Sequence, residues 1–575
     1  VARIRRLEIQ NFRTIQSLEW APSAGINCLV GPGDGGKSTI LDAIDLCLGA
    51  RRSAAFGDTD FRGLDVNRPI VISVTLGALP DALLNLDAYG DYLRGFDAAT
   101  GQVEDEPRAG TETVVTLQLK VTSDLEPVWL LYSLRAEQQG LERGLPWKER
   151  IALAPARIGN FANNNLSWTR GSVLNRLTEE RANLGGELAR AARDARASFG
   201  NEAGAPLAGA LRIVTKVASD LGVPVGESAK ALLDAHSVSI GDGAIALHNA
   251  VGVPLRSLGT GSARLLVAGL QRAASETATI GLVDEVEYGL EPHRLVRFLD
   301  SLGAKEPKPP LQVFMTSHSP VAIRELSGDQ VFVIRAGADR HVVHKVGVDN
   351  DIQSTLRADP EAFFARSVIV CEGASEVGLA RGLDQHWVGH GATSFFALGG
   401  AYVDVGGSNP DRCFTRGAAL LRLGYRVLVL VDADKPPTAE VAAAFHAAGG
   451  QSLTWRAGRA LEDELFCSLG DDAIDALLAK ACEVMGRDLV SEHIASKSEG
   501  RHTLATVEAA PLLEGYTDEI RAMLGRASRI RGSGWFKSVS TFQEIARDIV
   551  GPHLPTADAG FQAIIEQLRA WTHAA

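Results

Sequence analysis

Cysteine is scarce and scattered in this 575-residue chain, at positions 28, 47, 371, 413, 467 and 482. No two of them form a C-x-x-C pair, so neither a zinc site nor a disulfide framework is expected. Long apolar runs are missing too. None approaches the ~20 residues needed to span a bilayer. The charged start Val1-Ala2-Arg3-Ile4-Arg5-Arg6 lacks the apolar stretch of a signal peptide. A cytoplasmic protein that does not enter a membrane is the expectation. An excess of basic charge is also absent. A net charge of −12 argues against a general nucleic-acid coat, while leaving room for a local basic channel, because phosphate contacts depend on patches. What is present, 45% hydrophobic and 22% charged residues, is ordinary for a globular protein. The length suggests about three or four domains.

The stretch Gly31-Pro32-Gly33-Asp34-Gly35-Gly36-Lys37-Ser38-Thr39 fits the phosphate-binding pattern G-x-x-x-x-G-K-[ST]. Ile26–Val30 before it reads as a buried strand, and Ile40–Leu48 after it has apolar residues at helical spacing. Gly31, Gly33, Gly36, Lys37, Ser38 and Thr39 are therefore the candidate ATP-binding residues. Backbone N–H groups would point inward and the helix dipole would favour anions. Lys37 would reach the β- and γ-phosphates, and Ser38 would ligate Mg²⁺.

Strand-like segments follow at Pro69–Leu79, Thr113–Val121 and Pro127–Leu134, the last two forming a hairpin. Over residues 172–240 the pattern turns helical, with Leu174, Leu177, Leu184, Leu188, Ala191 and Ala195 on one face. A compact helical insertion is expected there, either serving dimerisation or packing on its own domain. The P-loop machinery then resumes. Ser257-Leu258-Gly259-Thr260-Gly261-Ser262-Ala263-Arg264 begins a helix. Thr279–Glu285 and Val313–Pro320 read as buried strands that deliver polar residues at their C-terminal ends. Asp284 would hold Mg²⁺, Glu285 would polarise the attacking water, and His318 would contact the γ-phosphate.

In this order of motifs the chain resembles the ABC-type ATPases of recombination and chromosome maintenance. The resemblance implies an ATP-bound head-to-head homodimer in which Gly259, Thr260 and Gly261 complete the partner's ATP site. The signature departs from Leu-Ser-Gly-Gly-Gln, with Gly259 where the serine would be and Ser262 where the glutamine would be.

A second chemistry follows a boundary between Gly347 and Arg366. Ser367–Cys371 is a buried-strand run ending in Glu372-Gly373-Ala374-Ser375-Glu376. Arg426–Val431 is another, ending in Asp432-Ala433-Asp434, and Ala460–Phe466 adds Glu462 and Glu464. Two carboxylates ~4 Å apart repel by about 4 kcal/mol at an effective dielectric of 20, so a cluster of them calls for cations. Oxygen-only ligands select Mg²⁺ or Mn²⁺ over zinc. Arg521, Arg526, Arg529, Arg531 and Lys537 form the densest basic run, with Trp535 and Phe536 beside it for base stacking. A topoisomerase would need a nucleophilic tyrosine, and Tyr516 lies in an acidic setting.

The acid pattern resembles the Toprim fold, a small α/β unit. An ABC ATPase followed by a Toprim domain resembles the OLD (overcoming lysogenization defect) family of nucleases, and Phe56–Phe61 resembles that family too. The fold class implied is α/β throughout. The ATPase lobes would occupy 1–171 and 241–350, the helical insertion 172–240, and the Toprim nuclease domain with its basic helical end 366–575. The resemblance implies two-metal DNA cleavage in phage defence or DNA processing. Glu372, Glu376, Asp432, Asp434, Glu462 and Glu464 would be the metal ligands, with Mn²⁺ or Ca²⁺ as alternatives to Mg²⁺. Lys537 would be the catalytic lysine, with Lys497 as the fallback. DNA and a second copy of the chain are the expected partners, and a helicase-like protein is a further one. The alternatives are a DNA-binding ATPase whose Toprim domain does not cut, and a nuclease acting on RNA.

Overall fold

A computed structural model describes residues 2–158, 204–220, 247–273, 279–337, 339–407, 409–512 and 515–574, with isolated positions between 159 and 203. The first lobe is built from β1 (Arg3–Phe12), β2 (Ile15–Trp20), β4 (Ile70–Gly77), β5 (Leu93–Asp97), β6 (Gln102–Glu104), β7 (Glu112–Val121) and β8 (Pro127–Tyr132). The strands β3 (Ile26–Val30), β10 (Ile280–Val283) and β11 (Gln312–Thr316) are buried at every position, including the polar Asn27, Gln312 and Thr316. With β9 (Ala156–Ile158), β12 (Val331–Ala336) and β13 (His341–Lys345) they complete one mixed sheet. Its order among the described residues is β6-β5-β7-β4-β1-β2-β13-β12-β3-β11-β10-β9, with β8 on β7.

The half from β12 to β9 is parallel, and burial on both faces is the usual condition of parallel strands. All the nucleotide motifs lie in this half. The antiparallel half contains the expected hairpin, with Lys120 opposite Val128.

A separate sheet has the order β15-β14-β16-β17, from β14 (Ser367–Cys371), β15 (Gly400–Asp404), β16 (Arg426–Val431) and β17 (Gln451–Thr454). All its pairings are parallel. From β14 the chain crosses to β15 on one side and then to β16 on the other. The crevice between the C-terminal ends of β14 and β16 is therefore a topological switch point, where α/β sheets place their ligands.

One apolar core runs from the ATPase helices, through Phe363, to Val368 and Val429 of the second sheet. Arg335, at the end of β12, crosses the same junction. It donates to the carbonyls of Leu423 (3.3 Å) and Ala365 (3.1 Å), and its guanidinium lies 3.6 Å from the Tyr425 ring centroid. Tyr425 in turn donates to the Phe363 carbonyl at 2.8 Å. Asp359 sits in the connection. Its Oδ2 is buried without a hydrogen-bond partner, and burial pushes its carboxyl up to about 6 despite the Asp404 N–H and Arg416. A folded-state pKa above the unfolded ~3.9 means the native state holds the extra proton. Stability should therefore fall as pH rises from about 4 to 6. Urea midpoints across that window should show a flatter slope in Asp359→Asn than in the wild type.

Part of the expected helical insertion is described, as a helix at Gly204–Asp220 with Ile213 and Val214 exposed. Most of the rest of 172–240 lies outside the described residues. No helix among the described residues is long and apolar enough to cross a membrane.

Candidate functional site

The glycines of the P-loop do different work. Gly31, at φ 136°, carries the chain past β12, where a Cβ would lie 2.8 Å from the Ile334 carbonyl. Gly36, at φ 84°, caps the helix Lys37–Leu48 in the left-handed region that glycine adopts freely. Lys37 is buried and donates from Nζ to the carbonyls of Gly31 (3.1 Å) and Pro32 (2.7 Å). Burial lowers its pKa, with Asp34 and Asp284 opposing. The Ser38 hydroxyl donates to Asp284 Oδ1 at 3.0 Å, and Thr316 donates to the same oxygen at 2.7 Å. The two expected Mg²⁺ ligands of this site, Ser38 and Asp284, are thus brought together.

Glu285 is exposed, and its φ of 46° is rare outside glycine. Its N–H donates to Thr316 Oγ1 at 2.8 Å. His318 is exposed after β11, and its N–H donates to Glu287 Oε1 at 2.7 Å. Ser317 donates to the other oxygen of Glu287 at 2.8 Å. Glu287 was not singled out in the sequence; it ties the turn after β10 to the turn after β11.

Gly259 and Thr260 are exposed at the start of the helix Thr260–Ala273. Gly261 is buried against the Gly289 carbonyl, where a Cβ would clash. Its place is therefore inside the chain, packing this helix onto the Asp284 turn. Arg264, three residues on, is fully buried and donates to the carbonyls of Glu285 (3.1 Å), Tyr288 (2.6 Å) and Asp284 (3.3 Å). Arg264→Ala would orphan these acceptors and open a cavity. A loss of about 3 kcal/mol is expected, read as a lower urea midpoint with a steep fall in ATP hydrolysis.

The second group of candidates meets at the switch point. Glu372 and Asp432 end adjacent strands, and Glu372 Oε2 accepts from the Asp432 N–H at 3.0 Å. Asp432 Oδ1 accepts from the Leu461 N–H at 3.0 Å, which brings in the helix Leu461–Ser468 and Glu462. Glu376, in the helix Ala374–Gly389, is buried and accepts from the Gly373 N–H at 2.9 Å. Lys537 Nζ lies 2.8 Å from Glu462 Oε1. Arg529 lies 3.2 Å from Asp434 Oδ2 and 2.6 Å from Asp463 Oδ2.

The electrostatics fit crowded acids. Burial, then the charges of Glu462, Glu372 and Asp434, push Asp432 up to about 8. Burial and then Asp432 and Glu462 raise Glu376 strongly. Burial and Asp434 raise Glu372. Burial alone would lower Lys537, yet Glu462, Glu376 and Asp432 together raise it. Each acid is turned onto a protein donor. Among the described residues, no group of three or more His, Cys, Asp or Glu side chains is disposed to hold a metal ion.

Three expectations are corrected here. Glu464 is fully buried and faces away from the cluster, with Oε1 2.7 Å from Arg456 and Oε2 3.3 Å from Arg459. Its charge is already paired. Trp535 and Phe536 are buried at 0% and 1% exposure, so they brace the loop before Lys537 and offer no face to a base. Trp535 Nε1 donates to His493 at 3.0 Å. Arg521 is likewise structural, paired with Asp471 and donating to the carbonyls of Phe466 and Leu469. Lys497 is exposed at the end of the helix Arg487–Lys497, with no ion pair to the cluster among the described residues.

A P-loop beside an Asp284–Ser38 pair on a mixed α/β sheet defines an ATPase domain. The family model described as "AAA domain, putative AbiEii toxin, Type IV TA system" matches residues 26–324, and the chain belongs to that family. Among individual proteins, an OLD nuclease of Thermus scotoductus is 34% identical over 100 residues, 16% of this chain and 19% of that protein. The DNA replication and repair protein RecF of Prosthecochloris aestuarii is 47% identical over 45 residues, 8% of this chain and 12% of that protein. The matched segments thus span less than a fifth of either relative. Among solved structures, the SMC head domain from Thermotoga maritima aligns over 60% of this chain and 100% of that chain, at 11% identity and TM-score 0.29. An SmcHead bound to the C-winged helix domain of ScpA aligns over 59% and 96%, at 16% identity and TM-score 0.34.

Proposed function

We propose that the chain is an ATP-regulated, divalent-metal-dependent DNA endonuclease. In this reading the unit from 366 to 575 is a Toprim-type domain that cuts, and the lobes 1–171 and 241–350 are the ATPase that controls it. Residues 172–240 would serve dimerisation. One observation carries the proposal: Glu372, Glu376, Asp432 and Glu462 converge at the switch point of a parallel sheet, with the Lys537 ammonium seated on the last of them. Such crowding costs stability in bare packing, and an all-oxygen donor set suits Mg²⁺ or Mn²⁺.

Divalent cations bound there would supply Lewis-acid stabilisation of the phosphodiester and of the leaving oxygen. Glu372, Asp432 and Asp434 would hold them at the strand ends, with Glu376 and Glu462 behind. Lys537, released from Glu462, would steady the charge developing on the phosphate. In the ATPase, Lys37 would leave the P-loop carbonyls for the phosphates, Ser38 and Asp284 would hold Mg²⁺, and Glu285 would orient water. Labelled DNA and RNA strands incubated with Mn²⁺, Mg²⁺ or EDTA test the reading. DNA cleavage that EDTA abolishes is expected, and cleavage of RNA alone would move the substrate class.

The local identity to RecF and the engagement of every acid by a protein donor favour one other reading, a DNA-binding ATPase that does not cut. ATP hydrolysis stimulated by DNA, with no cleavage in any divalent metal, would establish it.

A further inference from the structure

His318 has a neighbour from outside the ATPase lobes. Its backbone is fixed from within them: the His318 N–H and the Ser317 hydroxyl donate to Glu287, and the Ser319 N–H donates to Ser317 Oγ at 3.0 Å. Its exposed ring instead stacks on Phe364, with centroids 6.1 Å apart and planes 29° from parallel. Phe364 ends the short helix Pro360–Phe364, just before β14 begins at Ser367.

The two phenylalanines of this turn are divided between the units. Phe363 is fully buried and meets Tyr425 edge-on, with centroids 6.3 Å apart, and its carbonyl accepts from the Tyr425 hydroxyl. Phe364 is half-buried against His318. The helix Pro320–Glu325, which continues from His318, meets the same connection. Arg324 Nε donates to the Arg357 carbonyl at 3.2 Å, and Arg324 lies 3.7 Å from Glu361. The turn is thus anchored from both units, which gives the Phe364 ring a fixed place. Stacking covers a face of an imidazole and leaves its two nitrogens at the ring edge, where a phosphate oxygen can be met. An exposed histidine without such support spreads over several rotamers.

We propose that Phe364 is a positioning residue for ATP hydrolysis. Its ring holds the His318 imidazole in the orientation that meets the γ-phosphate, so the ATP site is completed from the connection that leads into the second sheet. This rests on the reading of His318 as the γ-phosphate contact. A preorganised donor acts where charge develops in the transition state, and the remaining grip on the nucleotide belongs to the P-loop. Phe364 therefore governs turnover and not the affinity for ADP, which lacks the γ-phosphate.

The test measures single-turnover ATP hydrolysis, in which slow variants stay measurable, and ADP affinity. The proteins are the full chain and its Phe364→Leu, Phe364→Tyr, His318→Ala and His318→Ala/Phe364→Leu variants. Phe364→Leu should lower the hydrolysis rate by about three- to tenfold, the worth of one aromatic pair, with ADP affinity unchanged. Phe364→Tyr keeps the ring and should hydrolyse as the wild type does. In the His318→Ala background Phe364→Leu should cost nothing more, because the imidazole it holds is gone. An equal loss in both backgrounds would make Phe364 a plain brace of the junction and overturn the proposal. A loss of ADP affinity in Phe364→Leu, or a Phe364→Tyr protein as slow as Phe364→Leu, would overturn it too. His318→Ala hydrolysing at the wild-type rate would remove the γ-phosphate reading of His318, and the proposal with it. If Phe364→Leu does not fold, Phe364→Met carries the same comparison.

Discussion

Lys37→Ala should lose ATP hydrolysis by about 10²–10³-fold, the usual cost of removing one preorganised charge-stabilising donor. Among the described residues, the buried ammonium donates to the carbonyls of Gly31 and Pro32. Both belong to the loop that would wrap the phosphates, so Lys37 is stored where it is used. Alanine cannot replace it, and the helix Lys37–Leu48 keeps its apolar anchor through Ile40, Leu41 and Ile44. Phosphate release should therefore vanish while circular dichroism stays that of the wild type. Metal-dependent cutting should persist, since the acids lie on a different sheet. Loss of both activities in a folded Lys37→Ala protein would mean that the cutting site exists only in the ATP-bound state.

Asp432→Ala should have the larger effect, a fall in DNA cutting of at least about 10³-fold, or roughly 4 kcal/mol of transition-state stabilisation. Asp432 is the node of the cluster. Its N–H donates to Glu372, its carboxylate accepts from the Leu461 N–H, and burial beside Glu462, Glu372 and Asp434 raises its pKa to about 8. A carboxyl so crowded by like charges would be relieved by a cation. Its removal should abolish high-affinity Mn²⁺ binding as well as cutting, with ATP hydrolysis unchanged. The isosteric Asp432→Asn should behave alike, which separates the charge from the shape.

The two strand ends were legible because their signal is local. A buried apolar run stops, and the next residues are acids, as at Cys371–Glu372 and Val431–Asp432. The P-loop, the Asp284 turn and the hairpin were legible for the same reason. Glu462 and Glu464 could not both face one site. Two residues apart on a helix of 3.6 residues per turn, they point to opposite sides, and the one facing Arg456 and Arg459 was lost to the cluster. Helical spacing alone would have separated them. Trp535 and Phe536 misled because aromatics beside cations look the same whether they meet a base or a core; only the packing around Phe466 and Phe542 decides. The roles of Arg264, Glu287 and Arg335 depend on carbonyls and hydroxyls brought in from other segments. No pattern in the sequence marks those acceptors.

Arg335 joins these two chemistries. It follows Ile334, whose carbonyl limits Gly31, and it reaches the residues that precede β14 and β16. The opposite ends of those strands carry Glu372 and Asp432.

The account turns on whether the acids at the switch point cut DNA. Supercoiled plasmid incubated with Mn²⁺ and wild-type, Lys37→Ala or Asp432→Ala protein tests this most directly. Nicked or linear plasmid is expected with the first two and intact plasmid with Asp432→Ala. Cutting by Asp432→Ala at the wild-type rate would contradict the account.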